Sequence, residues 1–351
     1  MIRSITTLAT LLTVTCATAQ TTVTIACDRD NTLYESATGS LSNAGGPLFA
    51  GVTGGNLKRR ALLHFDVAAA LPAGAKLLTA KLSLNVTQIA SPGPVEMHRA
   101  LQAWGEGTSF AGGGGIGGGG GAGAPATTND ATWLHTFFPG SFWTTPGGDF
   151  APSASFTMVL NLGSNTSPIA TGATADVQNW LDNPAQNFGW LVLGNELLPA
   201  TAARFDSRET TTGVGPTLTV TYLAQGTGGT WGTGCPTPLG NYSFAFAGAP
   251  IGGATIAMNQ SNGPASAITA HFFSLDLEPV GLPLVPGCTV HLSLPGLISG
   301  PIALLSPAGA ASLPFGVPAG FPGYLVVCQT VALDNSPLGF EISNAGLICL
   351  Q

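Results

Sequence analysis

Charge is what this chain has least of. Only 8% of its 351 residues are Asp, Glu, Lys or Arg. All ten Lys and Arg lie at or before Arg208, so the C-terminal third has no basic side chain yet keeps Asp276, Glu278, Asp334 and Glu341. A net charge of -7 with no basic cluster offers nothing to neutralise phosphates, which argues against nucleic acid as a partner. Sparse charge also argues against helices laced with ion pairs, while 49 Gly and 26 Pro point to many short strands joined by tight turns. Nucleophile and metalloprotease signatures are missing: there is no Gly-x-Ser-x-Gly and no His-Glu-x-x-His, and the five histidines are scattered singly. A glycosidase needs two carboxylates across a cleft. Glu106 with Asp130 or Asp149 are the acids available for a polysaccharide lyase or glycosidase, and nothing distinguishes them from ordinary loop acids.

Long apolar runs are also lacking. Residues 1–19 have the pattern of a signal peptide, with Arg3 in the positive region, Leu8 to Val14 as the apolar stretch, and Ala17-Thr18-Ala19 as a small-residue cleavage site before Gln20. The run is too short for a membrane anchor, so no membrane span is expected after cleavage and the protein is expected outside the cell. Cys16 follows Thr15 rather than the small residue that lipidation favours. The other five cysteines are Cys27, Cys235, Cys288, Cys328 and Cys349. Four fall in the last third, where an exported protein would form two disulfides among Cys235, Cys288, Cys328 and Cys349, with Cys27 left as a buried thiol. Their spacing is unlike a Cys-x-x-Cys metal site.

What the chain does have is period-two alternation. At 77–87, Leu78, Ala80, Leu82, Leu84 and Val86 alternate with Thr79, Lys81, Ser83, Asn85 and Thr87, the pattern of an antiparallel strand with one wet face. Similar stretches occur at 61–67, at 155–162 with Phe156, Met158, Leu160 and Leu162 facing inward, and at 218–222. Residues 188–193 are instead apolar on both faces and read as a central strand. One short helix is expected over 174–181, with Thr174 capping it and Val177, Trp180 and Leu181 on one face. Residues 112–123 are almost pure glycine and read as a flexible low-complexity insertion, with no strand-to-helix setting for phosphate binding. Residues 224–234 read as a Gly/Thr linker. Beyond it, strands at 242–247, 254–259, 269–275, 289–294, 324–331 and 340–343 recur at sandwich spacing. The expectation is all-β: a β domain with one short helix over 20–223, then a smaller, disulfide-bearing β-sandwich domain over 235–351.

The most specific wording is at 129–150. Trp133, His135, Phe142, Trp143 and Asp149 lie there among Gly and Pro, as a long decorated loop. Exposed flat rings beside polar tips would stack on sugar faces. The same rings would also serve to plug the end of a sandwich, and large aromatics are buried on average. Trp104 and Trp180 read as core. Arg59, Arg60, Arg204 and Arg208 suit bidentate pairing with a carboxylate, either on a uronate or on Asp66, Asp206 or Glu209 of the fold. Asp28, Asp30 and Asn31 cluster hard oxygens and are candidates for a structural calcium ion; no other cofactor is indicated.

Several words in the first domain carry a resemblance. They are Asp30-Asn31-Thr32-Leu33-Tyr34-Glu35, Arg59-Arg60-Ala61-Leu62-Leu63-His64-Phe65-Asp66-Val67, Leu71-Pro72-Ala73-Gly74-Ala75, Trp104-Gly105-Glu106-Gly107 and Asp130-Ala131-Thr132-Trp133. Further on come Asp176-Val177-Gln178-Asn179-Trp180, Asn187-Phe188-Gly189-Trp190, Phe205-Asp206-Ser207-Arg208-Glu209 and Pro216-Thr217-Leu218-Thr219-Val220. In this order the chain resembles the DNRLRE-domain proteins, grouped with carbohydrate-binding module family 96, over nearly all of residues 22–222. Cys27 and the glycine insertion depart from the pattern. The resemblance implies a non-catalytic jelly roll that, in some members, binds acidic polysaccharide such as alginate. The C-terminal part looks like a β domain at the ends of secreted proteins of environmental bacteria, matching at Gly234-Cys235-Pro236, Pro286-Gly287-Cys288, 323–329, Asp334 and Ser343-Asn344-Ala345-Gly346-Leu347. The partner expected is therefore polysaccharide or cell-surface material. A structural or adhesive surface protein with no small ligand is the alternative.

Overall fold

The computed structural model describes residues 20–112 and 121–351. The leader at 1–19, with Cys16, and most of the glycine insertion lie outside the described residues. The chain divides into two compact units, Thr21–Tyr222 and Leu223–Gln351. Both are built of antiparallel strands, as the alternation predicts. No helix among the described residues is long and apolar enough to cross a membrane.

In the first unit, Gln20–Ala26, Thr217–Leu223, Lys76–Gln88, Ala203–Phe205 and Leu48–Val52 follow one another as hydrogen-bonded neighbours. The order continues through Lys58–His64, Trp190–Leu193, Gly93–Arg99 and Phe156–Leu160, with Arg29–Tyr34 also paired to Lys58–His64. Lys76–Gln88 shows why the alternation was legible: Ala80, Leu82, Leu84 and Val86 are buried, and Lys81, Ser83 and Asn85 are partly exposed. Lys58–His64 differs. Six of its seven residues are buried, because it is central and covered on both sides. Leu162, expected to face inward, is 70% exposed because its strand ends at Leu160. Gly51 sits where the two halves of the sheet join. Its φ is +118°, and a Cβ there would lie 2.7 Å from the Thr201 carbonyl oxygen, so only glycine fits.

The helix runs over Thr171–Asp182, longer than expected, and buries Ala173, Val177, Trp180 and Leu181 at helical spacing. Thr174 is not its cap. Ala170 holds that position without a side-chain bond, and the Thr174 hydroxyl instead accepts the Ala80 amide, while Gln178 accepts the Leu77 amide. The helix is thereby stitched to Lys76–Gln88. Trp180 packs 4.6 Å from Trp190, whose indole N–H donates to Asp176. A further single turn, Val67–Ala70, is capped by Asp66.

The second unit has one sheet in the order Gly228–Trp231, Ala345–Cys349, Leu325–Leu333, Ile268–Ser274, Ile298–Leu304. A smaller sheet comprises Ser243–Ala247, Thr255–Ser261 and Ala311–Gly316. Residues 228–231, read as linker, form an edge strand instead, registered with Thr230 opposite Gly346. The core gathers Phe244, Phe246, Ile256, Met258, Phe273, Cys328 and Ile348. The Asn344 side chain acts as an extra rung, accepting from the Phe244 amide and donating to the Phe244 carbonyl.

One of the two expected disulfides is formed, Cys235–Cys288. Cys328 pairs opposite Gly346, and Cys349 opposite Leu325. Odd and even residues of a strand face opposite sides. Cys328 and Cys349 therefore stand on opposite faces of one sheet, and no bridge joins them. Cys27 is a buried thiol, as expected.

Candidate functional site

The loop rings are inside. Trp133 and Trp143 are 7% and 5% exposed and belong to one cluster with Leu33, Leu62, Ala100, Trp104, Ala131 and Leu191. The Trp143 indole N–H donates to the Thr132 carbonyl at 2.9 Å. The Arg60 guanidinium lies 5.0 Å from the Trp133 ring centre and 5.2 Å from that of Phe150, and pairs with both Glu196 oxygens at 2.6 and 2.8 Å. Burial opposes ionisation of Glu196, but the Arg60 bonds outweigh it and hold the carboxyl below its usual range. His135 is buried against the Thr132 hydroxyl at 2.8 Å, and burial lowers its pKa. Asp149 accepts the Thr144 and Thr145 amides and the Gln102 side chain, which closes the turn. Of the five loop candidates only Phe142 is open, at 59% exposure, with its ring 4.4 Å from that of His135. Sugar stacking needs a free ring face, so Trp133 and Trp143 fill the sandwich end instead.

The calcium candidates separate in the same way. Asp28 pairs with His64 at 2.6 Å. The Asn31 carboxamide oxygen accepts from the Thr32 amide, the Ser42 hydroxyl and the Asn43 amide, which leaves it no capacity. Neither joins Asp30. Fully buried Asp30 instead faces Glu106 and Glu209, with a carboxylate oxygen of each within 4.8 Å of the others. Arg208 sits among them, donating Nε and Nη2 to Glu106 at 2.7 and 2.8 Å, so it is committed to the fold. Burial raises the Asp30 and Glu209 carboxyls above their usual range. A second multi-ligand group among the described residues, Cys235, Cys288 and Glu341, has its sulfurs spent in the disulfide. Asp130 is buried and accepts from the Thr127 amide and hydroxyl, which ties that acid to its loop.

Arg204 occupies a different setting. It pairs with Phe49 on one side and Gln88 on the other, at a register irregularity between Arg204 and Phe205 that re-aims the side chain. These residues and Arg59 line a cleft of about 520 Å³, with Val52, Thr53 and Ala202 among its walls. Arg59 is buried over the Tyr34 ring at 4.7 Å, and its Nε and Nη1 donate to the Gly121 and Lys58 carbonyls. Burial lowers its pKa. The Arg204 Nε is buried and has no hydrogen-bond partner. Among the described residues, no carboxylate forms a salt bridge with Arg59 or Arg204. Two guanidinium groups, an exposed amide at Gln88 and a ring edge at Phe49 thus share one cleft. Sequence reasoning named both arginines but not their convergence, which depends on strands far apart in the chain.

Comparison with family models finds no match, and comparison with curated proteins finds none that is significant.

Proposed function

We propose that the Thr21–Tyr222 unit binds an acidic polysaccharide, of the uronate class that includes alginate, in the cleft between Arg59 and Arg204. The observation that carries this reading is the partnerless Arg204 Nε in a cleft shared with a second guanidinium, neither of them salt-bridged to a carboxylate among the described residues. A uronate carboxylate in the cleft would pair with the guanidinium groups that line it, a charge-assisted contact stronger than a neutral one. A cleft of this size takes one or two sugar rings, with Gln88 available for hydroxyls. The chain acts without cleaving its ligand in this reading. Its setting is extracellular, which fits the leader pattern at 1–19 and a disulfide that oxidising compartments preserve. The test is retention on alginate, polygalacturonate and neutral glucan gels. Arg204→Ala abolishes retention on the acidic gels with melting unchanged; retention of wild type on none of them removes the reading.

A second reading, an adhesive surface protein, is favoured by the Leu223–Gln351 unit. Leu333, Ile268 and Leu304 form an exposed apolar row running to the edge strand Ile298–Leu304, with Ile302 further along that edge. Adsorption to an alkyl surface that Ile302→Lys and Leu304→Lys together abolish would support it. Unchanged adsorption would dismiss it.

A further inference from the structure

The acid cluster of the first unit is unbalanced in a way that its own side chains do not resolve. Asp30 is fully buried; its Oδ2 accepts the Arg208 amide at 2.7 Å, while its Oδ1 has no partner. Glu209 has the same asymmetry, with Oε1 2.8 Å from the Arg208 Nε and a buried, partnerless Oε2. Glu106 completes the group. Its Oε1 accepts the Asp30 amide at 2.8 Å as well as Arg208, which leaves spare acceptor capacity on Oε2. Gly107 makes the approach of this segment possible, since its φ is +69° and a Cβ would collide with Asp130 at 1.9 Å.

We propose that Asp30, Glu106 and Glu209 bind a hard divalent cation of the calcium class. Three carboxylates against one guanidinium leave two negative charges, which such an ion cancels. Calcium–oxygen contacts of about 2.3–2.6 Å let one ion touch oxygens up to about 5 Å apart, and a carboxylate oxygen of each residue lies within 4.8 Å of the others. The donor set is all oxygen, with no His or Cys among the three, which disfavours zinc and copper. Protonating Asp30 would remove only one of the two negative charges, whereas a divalent ion cancels both. The three ligands come from strand Arg29–Tyr34 and from two connecting segments far along the chain. The ion would therefore tie the 104–109 and 206–210 segments to the sheet. The site shares no residue with the Arg59–Arg204 cleft, so it stands whether or not that cleft binds uronate.

The test uses the full chain without saccharide, because alginate itself takes up calcium. Protein stripped with EGTA and titrated with calcium chloride is expected to bind one ion per chain by calorimetry and to melt at a higher temperature than the stripped form. Glu209→Gln weakens calcium binding at least tenfold and removes the melting shift, whereas Glu278→Gln, in the other unit, leaves both unchanged. Should Glu209→Gln fail to fold, terbium luminescence of the wild-type protein, displaced by calcium, decides the matter. Superimposable melting curves with and without calcium, together with no heat of binding and no terbium signal, would overturn the proposal. Binding that Glu209→Gln leaves intact would overturn it as well.

Discussion

Trp143 shows how a residue's role turns on its surroundings rather than its type. Its indole is buried, hydrogen-bonded to the Thr132 carbonyl and packed in the Leu33–Trp104–Leu191 cluster. Removing a buried Trp side chain costs about 3–5 kcal/mol, so Trp143→Ala is expected to lower unfolding free energy by that amount in urea denaturation. Phe142→Ala, one position away and exposed, is expected to change it by less than about 0.5 kcal/mol. Glu196 supplies a pH dependence. Its folded pKa lies below the unfolded value because Arg60 bonding prevails over burial. The pair therefore contributes stability at pH above the usual carboxylate range, and that stability is lost as pH falls through the folded pKa. Melting temperature against pH is expected to show a flatter acid limb in Glu196→Gln than in wild type. An identical limb would remove Glu196 from the acid response.

At the scale of elements, the side chain of Asn344 does the work of a strand rung. Asn344→Ala leaves the buried amide and carbonyl of Phe244 without those bonds, at about 1–3 kcal/mol for each unmet group. Hydrogen exchange of the Ser243–Ala247 amides is expected to accelerate, Phe244 most of all. The strands that alternation predicted, Lys76–Gln88 and Thr217–Leu223 among them, were legible because one face is wet and one dry. Leu277–Val285, Ile298–Leu304 and Ala311–Gly316 were not, since each contains proline and glycine. They lie at sheet edges or in a two-stranded ribbon, where a missing N–H costs no rung. Burial of the loop rings was equally hidden. It depends on Arg60 and Glu196, 136 positions apart. The acid cluster was half visible: Asp30, Glu106 and Glu209 each fall in a short motif singled out in the sequence, but only the fold brings the three together.

For the molecule as a whole, two units imply two separable stabilities. Cys235–Cys288 closes a loop with a sequence separation of 53, and chain-entropy arguments give such a bridge about 4 kcal/mol. Reductant is expected to lower the calorimetric transition of Leu223–Gln351 and to leave that of Thr21–Tyr222 in place. A shift of both transitions would contradict this assignment of the bridge. The proposed function rests on the first unit, where two guanidinium groups share a cleft with no acid among its described lining residues. The most direct measurement is the affinity of wild type and Arg204→Ala for alginate oligosaccharides by calorimetry across a salt series. The account predicts wild-type binding that weakens as salt rises, no comparable binding of neutral glucan oligosaccharides, and at least a tenfold loss in Arg204→Ala at unchanged melting temperature. Equal affinity of the two proteins, or wild-type binding of neutral and acidic oligosaccharides alike, would contradict it.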